Sequence, residues 1–139
     1  MKHIAILIFL MISQLSFAET LTSLEGTKSK CSEAAKKFGE GKIKESFALL
    51  KPYWPIPDQE VENLIYQTET QLKTVKERFG GIIGSDFAKT ETAGDSFAKY
   101  TYVIKFEKHA VRYICVFYKP REAWFVNMIT WDDSIQLLF

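Results

Sequence analysis

Histidine, cysteine, aspartate and tyrosine are the residues of this chain whose types could support chemistry. Only two histidines occur. His3 lies in an apolar N-terminal leader, so His109 is the one imidazole of the remaining chain. A general base needs shelter and a partner within hydrogen-bond reach, and Lys108-His109-Ala110 reads as an exposed turn. Serine or cysteine nucleophiles would need such a base, so serine–histidine chemistry is not expected and Cys31 and Cys115 read as structural. Two cysteines without CxxC spacing do not make a zinc site. Asp132 and Asp133 point to opposite sides of an extended chain, which suits a solvated chain end better than a cation site. Phe38-Gly39-Glu40-Gly41-Lys42 lacks phosphate-loop spacing. No metal and no cofactor is expected.

The elements that must position any site come next. The chain has 139 residues, one domain's worth, with 18 basic and 17 acidic residues and a net charge of +1. That balance gives no concentrated basic patch, so nucleic acid is not an expected partner. Hydrophobic residues at 47% place the chain outside the disordered class.

Met1-Lys2-His3, the apolar run Ile4 to Ile12 and the small-x-small pattern Ser16-Phe17-Ala18 read as a signal peptide over residues 1–18. The run is short for a bilayer span, although an N-terminal anchor is the alternative. Export to a periplasmic or secreted location follows, with a mature chain from Glu19 and no membrane association after cleavage. In that oxidising setting Cys31 and Cys115 are candidates for a disulfide; the alternative is two small buried hydrophobes.

Residues 19–29 read as a flexible lead-in, and residues 30–139 as a single domain. From Lys30, Cys31, Ala34, Ala35 and Phe38 share one helical side, with Ser29 or Ser32 as cap. Gly39-Glu40-Gly41 breaks the pattern, and Ile43, Phe47 and Leu50 begin a second short helix. Lys51 to Pro57 is a proline-stiffened connector, with Tyr53 and Trp54 folding back as a lid. Asp58 caps a long third helix whose stripe runs Val61, Leu64, Ile65, Thr68, Leu72, Val75, Phe79. Gly80-Gly81 stops it.

Ile82 to Thr92 reads as a weaker first strand, with Gly84 suggesting a bulge. Residues 97–132 then carry three aromatic and β-branched runs, an antiparallel meander. A two-residue turn at Lys108-His109 would pair Phe106 with Val111, Ile104 with Tyr113 and Tyr102 with Cys115. A turn at Pro120-Arg121 would pair Phe117 with Trp124 and Cys115 with Val126. Tyr100, Tyr102, Tyr113, Cys115, Trp124 and Met128 then share an inner face that receives the third helix, pointing Cys115 toward the layer that holds Cys31. The outer face carries Ile114, Val116, Tyr118, Phe125, Ile129 and Trp131, apolar enough to call for a partner, a second copy or a covering segment such as 134–139.

Short helices, one long helix and a glycine-rich entry into a curved antiparallel sheet of about four strands make an α+β arrangement. It resembles the cystatin-like and nuclear-transport-factor-2-like α+β roll, whose exported members of unassigned reaction it is most similar to. The likeness rests on AAKKFGEGKIKESFALLKPYW and the RFGGI junction, within residues 30–132. It implies a sheet wrapped round the long helix with a cone-shaped cavity. Tyr100, Tyr102, Tyr113, Trp124 and Met128 are then the expected pocket for a small apolar ligand, or Ile114, Val116, Phe125 and Ile129 a face for a homodimer or protein partner. The expected role is a non-enzymatic binding domain. Enzymes of that roll commonly place an Asp with a Tyr inside the cone, so an isomerase or hydratase using Asp86 and an inner tyrosine is the alternative. A purely structural or homodimeric interaction protein is the third.

Overall fold

Ser23 accepts a hydrogen bond from the Gly26 amide at 3.0 Å and caps α1 (Leu24–Gly39), satisfying a donor that the first helical turn leaves open. The structure, a computed structural model, describes residues 20–139; the expected leader 1–18 lies outside them. α1 thus starts well before Lys30, and the stretch expected as a flexible lead-in is helical from Leu24. The cause is Thr27, one turn ahead of Cys31 on the same stripe. It is fully buried, 2.7 Å from the Tyr100 hydroxyl, and its own hydroxyl donates to the Leu24 carbonyl at 2.6 Å. A core position filled by threonine adds nothing to an apolar pattern. Leu21, also buried, pairs with Trp124, whose amide donates to its carbonyl at 2.7 Å.

Gly41, at φ 79°, turns the chain into α2 (Ile43–Leu50). A 3-10 turn at Lys51–Tyr53 follows, with Tyr53 buried and Trp54 stacked on Phe47 at 6.4 Å, so the connector does fold back onto the core. α3 (Asp58–Phe79) buries Val61, Thr68 and Leu72 along the expected stripe. Pro57 holds the cap position; Asp58 sits in the first turn and pairs with Lys51 at 3.4 Å. Gly80, at φ 88° and packed against the Glu107 side chain, ends the helix where a β-carbon would collide.

Four strands follow in the order β1-β2-β3-β4, each antiparallel to the next: β1 (Ile82–Ala93), β2 (Phe97–Phe106), β3 (Ala110–Tyr118) and β4 (Phe125–Asp132). Three helices on such a sheet make the α+β class expected from the pattern. The inner face, however, receives α1 before α3: α1 crosses β1, β2 and β3. Its small residues allow this, since a β-carbon on Gly39 would lie 2.9 Å from the Gly84 carbonyl carbon and from Ser85 Cβ. α3 lies toward β4, where the Trp131 indole N–H reaches Thr68 Oγ1 at 3.4 Å, and its last residue, Phe79, stacks on the half-buried His109 at 4.1 Å. His109 is therefore a packing residue at the helix–hairpin junction, not the tip of an exposed turn.

The β2–β3 turn is displaced toward β2, onto Glu107-Lys108 instead of Lys108-His109. Ile104 pairs with Val111, Tyr102 with Tyr113 and Tyr100 with Cys115, and the turn is closed by the Phe106 amide donating to the His109 carbonyl at 2.8 Å. The two-residue slip leaves every side chain of β2 and β3 on its expected face, because sidedness has period two. β4 behaves differently. Phe117 pairs with Val126, Val116 with Met128, and the irregularity between them leaves Asn127 unpaired. Past that bulge the faces invert. Met128, expected inside, is exposed on the outer face; Ile129 and Trp131, expected outside, turn inward, Ile129 to burial and Trp131 to lie 6.2 Å from Phe38.

The Cys31–Cys115 disulfide joins the middle of α1 to the middle of β3, spanning 84 residues. Both cysteines are fully buried. On the outer face the chain end turns back: Asp132 Oδ1 accepts from the Ser134 amide at 3.0 Å, residues Ile135–Leu138 cross β3 as a short 3-10 helix, and Lys89 of β1 donates to the Leu137 carbonyl at 3.0 Å. Ile135–Leu138 thus cover part of the apolar outer face, where Ile114 and Thr101 are buried, while Phe139 stays fully exposed.

Arg112 fastens this cover. It donates to both carboxylate oxygens of Asp132, at 2.8 and 2.6 Å, and is itself buried. Asp132 is therefore not a solvated chain end. The hydrogen bonds from Arg112 hold its carboxyl below the usual carboxylate range, with the Ser134 amide adding to them. A carboxylate depressed in the folded state contributes stability above its unfolded value of ~4, lost as pH falls through the folded value. Thermal midpoints measured from pH 6 down to 3 should therefore drop less steeply for Asp132→Asn than for the native chain; parallel curves would contradict this.

Candidate interaction surfaces

The five side chains expected to line one pocket occupy separate places. Tyr100 is in the core, its hydroxyl donating to the Thr27 hydroxyl at 2.7 Å and lying 3.2 Å from the Leu24 carbonyl. Tyr113 is equally buried, 3.4 Å from the Ser46 hydroxyl, which donates to the Ala34 carbonyl at 2.7 Å. Burial raises the pKa of both phenols, so they stay protonated and serve as hydrogen-bonding struts between the sheet and the helical layer. Tyr113 also touches a pocket of about 160 Å³ at the seam of α3 and β4, beside Leu64, Thr68 and Trp131. Tyr102 borders a groove between α1 and β1, and Trp124 a cleft at the far end beside Leu24 and Lys119. Met128 is on the opposite face. The interior between helices and sheet is filled by Phe38, Leu50, Leu72, Tyr100, Tyr113 and Phe117, each almost wholly buried.

Asp86 lies on the outer face, paired across the strands with Val103. Its carboxylate is 63% exposed and sits 3.4 Å from Lys105. No inner tyrosine shares its side of the sheet, so the acid–base pair required by the isomerase or hydratase alternative is not assembled. Among the described residues no cluster of His, Cys, Asp or Glu could hold a metal ion, and no helix is long and apolar enough to cross a membrane.

Two surfaces remain open. The first is the end of the outer face that the tail leaves bare. Phe97 stacks on Tyr118 at 5.0 Å, Tyr118 pairs across strands with Phe125, and Val116 with Met128. All but Val116 are well exposed. Of the four residues expected to form a partner face, Val116 and Phe125 belong here. Ile114 is buried on the half of that face the tail crosses, and Ile129 has turned inward. Sequence reasoning placed Tyr118 on this face beside Val116 and Phe125 but missed Phe97 and Met128, because Met128 depends on the bulge at Asn127 and Phe97 on how far β2 extends. Glu91 and Lys99, an ion pair at 3.5 Å, flank it.

The second is the groove between α1 and β1, about 720 Å³, with Ser32, Lys36 and Glu40 on the helix side and Ile83, Phe87 and Tyr102 on the sheet side. Phe87 meets Tyr102 edge-on at 5.4 Å. The chain matches no protein-family model, no curated protein and no solved structure.

Proposed function

We propose that this chain is an exported, non-enzymatic α+β roll that acts as an interaction module, and that its working surface is the bare end of the outer sheet face. The occupant is a second copy. The observation that carries this reading is the contiguous patch of Phe97, Val116, Tyr118, Phe125 and Met128 beside a tail that covers another part of the same face. Large exposed apolar patches on soluble domains are sites of association, and aromatic and methionine side chains are the types that interface centres favour. A two-fold interface requires a patch that is its own complement. An apolar centre with Glu91 and Lys99 side by side at its rim suits that requirement, since a two-fold axis running between them would set each sign against its opposite. A net charge of +1 adds little repulsion between copies. The buried disulfide supports an oxidising compartment, which agrees with the leader pattern of residues 1–18.

Light scattering coupled to gel filtration tests the reading. The native chain is expected to run as a dimer, and Phe125→Glu as a monomer with a native circular-dichroism spectrum, because Phe125 is exposed within one copy. A native monomer at high concentration, or a Phe125→Glu dimer, would overturn it.

A further inference from the structure

The two edges of the sheet are not alike. At the β4 edge, Leu21 pairs with Trp124 just ahead of the strand. β1 pairs with β2 on one side and, among the described residues, with no strand on the other. Its irregularities, between Ile82 and Gly84 and between Phe87 and Lys89, bracket a regular stretch from Gly84 to Phe87. Unpaired strand edges present backbone donors and acceptors that an extended segment can join. α1 packs on the face of this stretch, with Gly39 against Gly84 and Ser85, and leaves Phe87 48% exposed and Ile83 61%.

The helix side of the groove is cationic. Lys28, Ser32 and Lys36 follow one another at i+4 spacing and so share a side of α1. Lys28 Nζ lies 4.7 Å over the Phe87 ring. Among the described residues neither Lys28 nor Lys36 has an ion-pair partner. Of the acids at the groove and on β1, Glu40 is engaged by Lys37 at 3.9 Å and Lys42 at 3.4 Å, and Asp86 by Lys105 on the other face.

We infer that this groove binds an extended acidic segment of a partner protein, which adds to the sheet beside Gly84–Phe87. Its carboxylates meet Lys28 and Lys36, and an apolar side chain packs on Phe87 and Ile83. The site is independent of the outer-face patch, which involves none of these residues.

A displayed library of ten-residue peptides, selected on the intact disulfide-bonded protein, tests the inference. Enriched sequences are expected to be acidic with apolar residues at alternate positions. A synthetic copy of one should shift the amide resonances of Ile82–Ala93 and of the Lys28–Lys36 stretch. The double variant Lys28→Glu/Lys36→Glu should weaken it about tenfold or more, and so should N-methylation of alternate peptide amides, which removes strand donors but keeps the side chains. Both lysines are exposed, so the variant should keep the native spectrum elsewhere. No enrichment over the double variant, equal binding of the methylated peptide, or shifts at Phe97, Tyr118 and Phe125 instead would each overturn it.

Discussion

Replacing Cys31 and Cys115 together with alanine is expected to cost about 4 kcal/mol, lowering the thermal midpoint by on the order of 15 °C. The bridge closes a span of 84 residues between the helical layer and the second-to-last strand. Long closed loops restrict the unfolded chain most in the chain-entropy account. Both sulfurs are buried, so the alanines also remove packed volume. Calorimetry on the oxidised native chain and the double variant measures the difference; a drop of only a degree or two would mean that the two layers hold each other without the link.

Phe38→Ala should cost a similar amount, about 4 kcal/mol. Phe38 is fully buried, with its ring 5.0 Å from Tyr113 and 6.2 Å from Trp131. It is the side chain that brings α1, β3 and β4 to one point. Truncation leaves a cavity that none of those three elements can close alone, since α1 is pinned by the disulfide and by the tight contact of Gly39 with β1. Denaturant midpoints at unchanged slope provide the measurement. Tyr66→Ala, on the exposed side of α3, is the control and should move stability by no more than about 0.5 kcal/mol.

Where the sequence could be read, a repeating physical signal was present. The stripe from Val61 to Phe79 announces α3 because most of its core positions are apolar. The faces of β2 and β3 are legible even with the turn misjudged, since slipping by two residues returns each side chain to its own side. The same sidedness points Cys115 toward the layer that holds Cys31 and makes the pair a candidate bridge, which the structure forms. Three features left no such signal. Thr27 hides the first turns of α1, because what it puts in the core is a hydroxyl matched to the Tyr100 phenol. Asn127 inverts β4 with no glycine or proline to mark the bulge. Met128 leaves the expected pocket through that bulge, and the division of the other four residues among core, seam, groove and cleft depends on how α1 crosses the sheet, which Ala34, Ala35 and Gly39 permit but do not announce.

The arrangement of the disulfide has a consequence for how the chain tolerates being cut. Residues 24–79 are helices and turns, residues 82–132 a meander of sequential neighbours, and the only backbone crossing between them is the Gly80-Gly81 joint, where Gly81 is exposed. A protease that severs this joint separates the polypeptide into a helical piece and a sheet piece. Cys31 lies in one and Cys115 in the other. The nicked molecule thus stays a single covalent particle until a reductant frees its two halves.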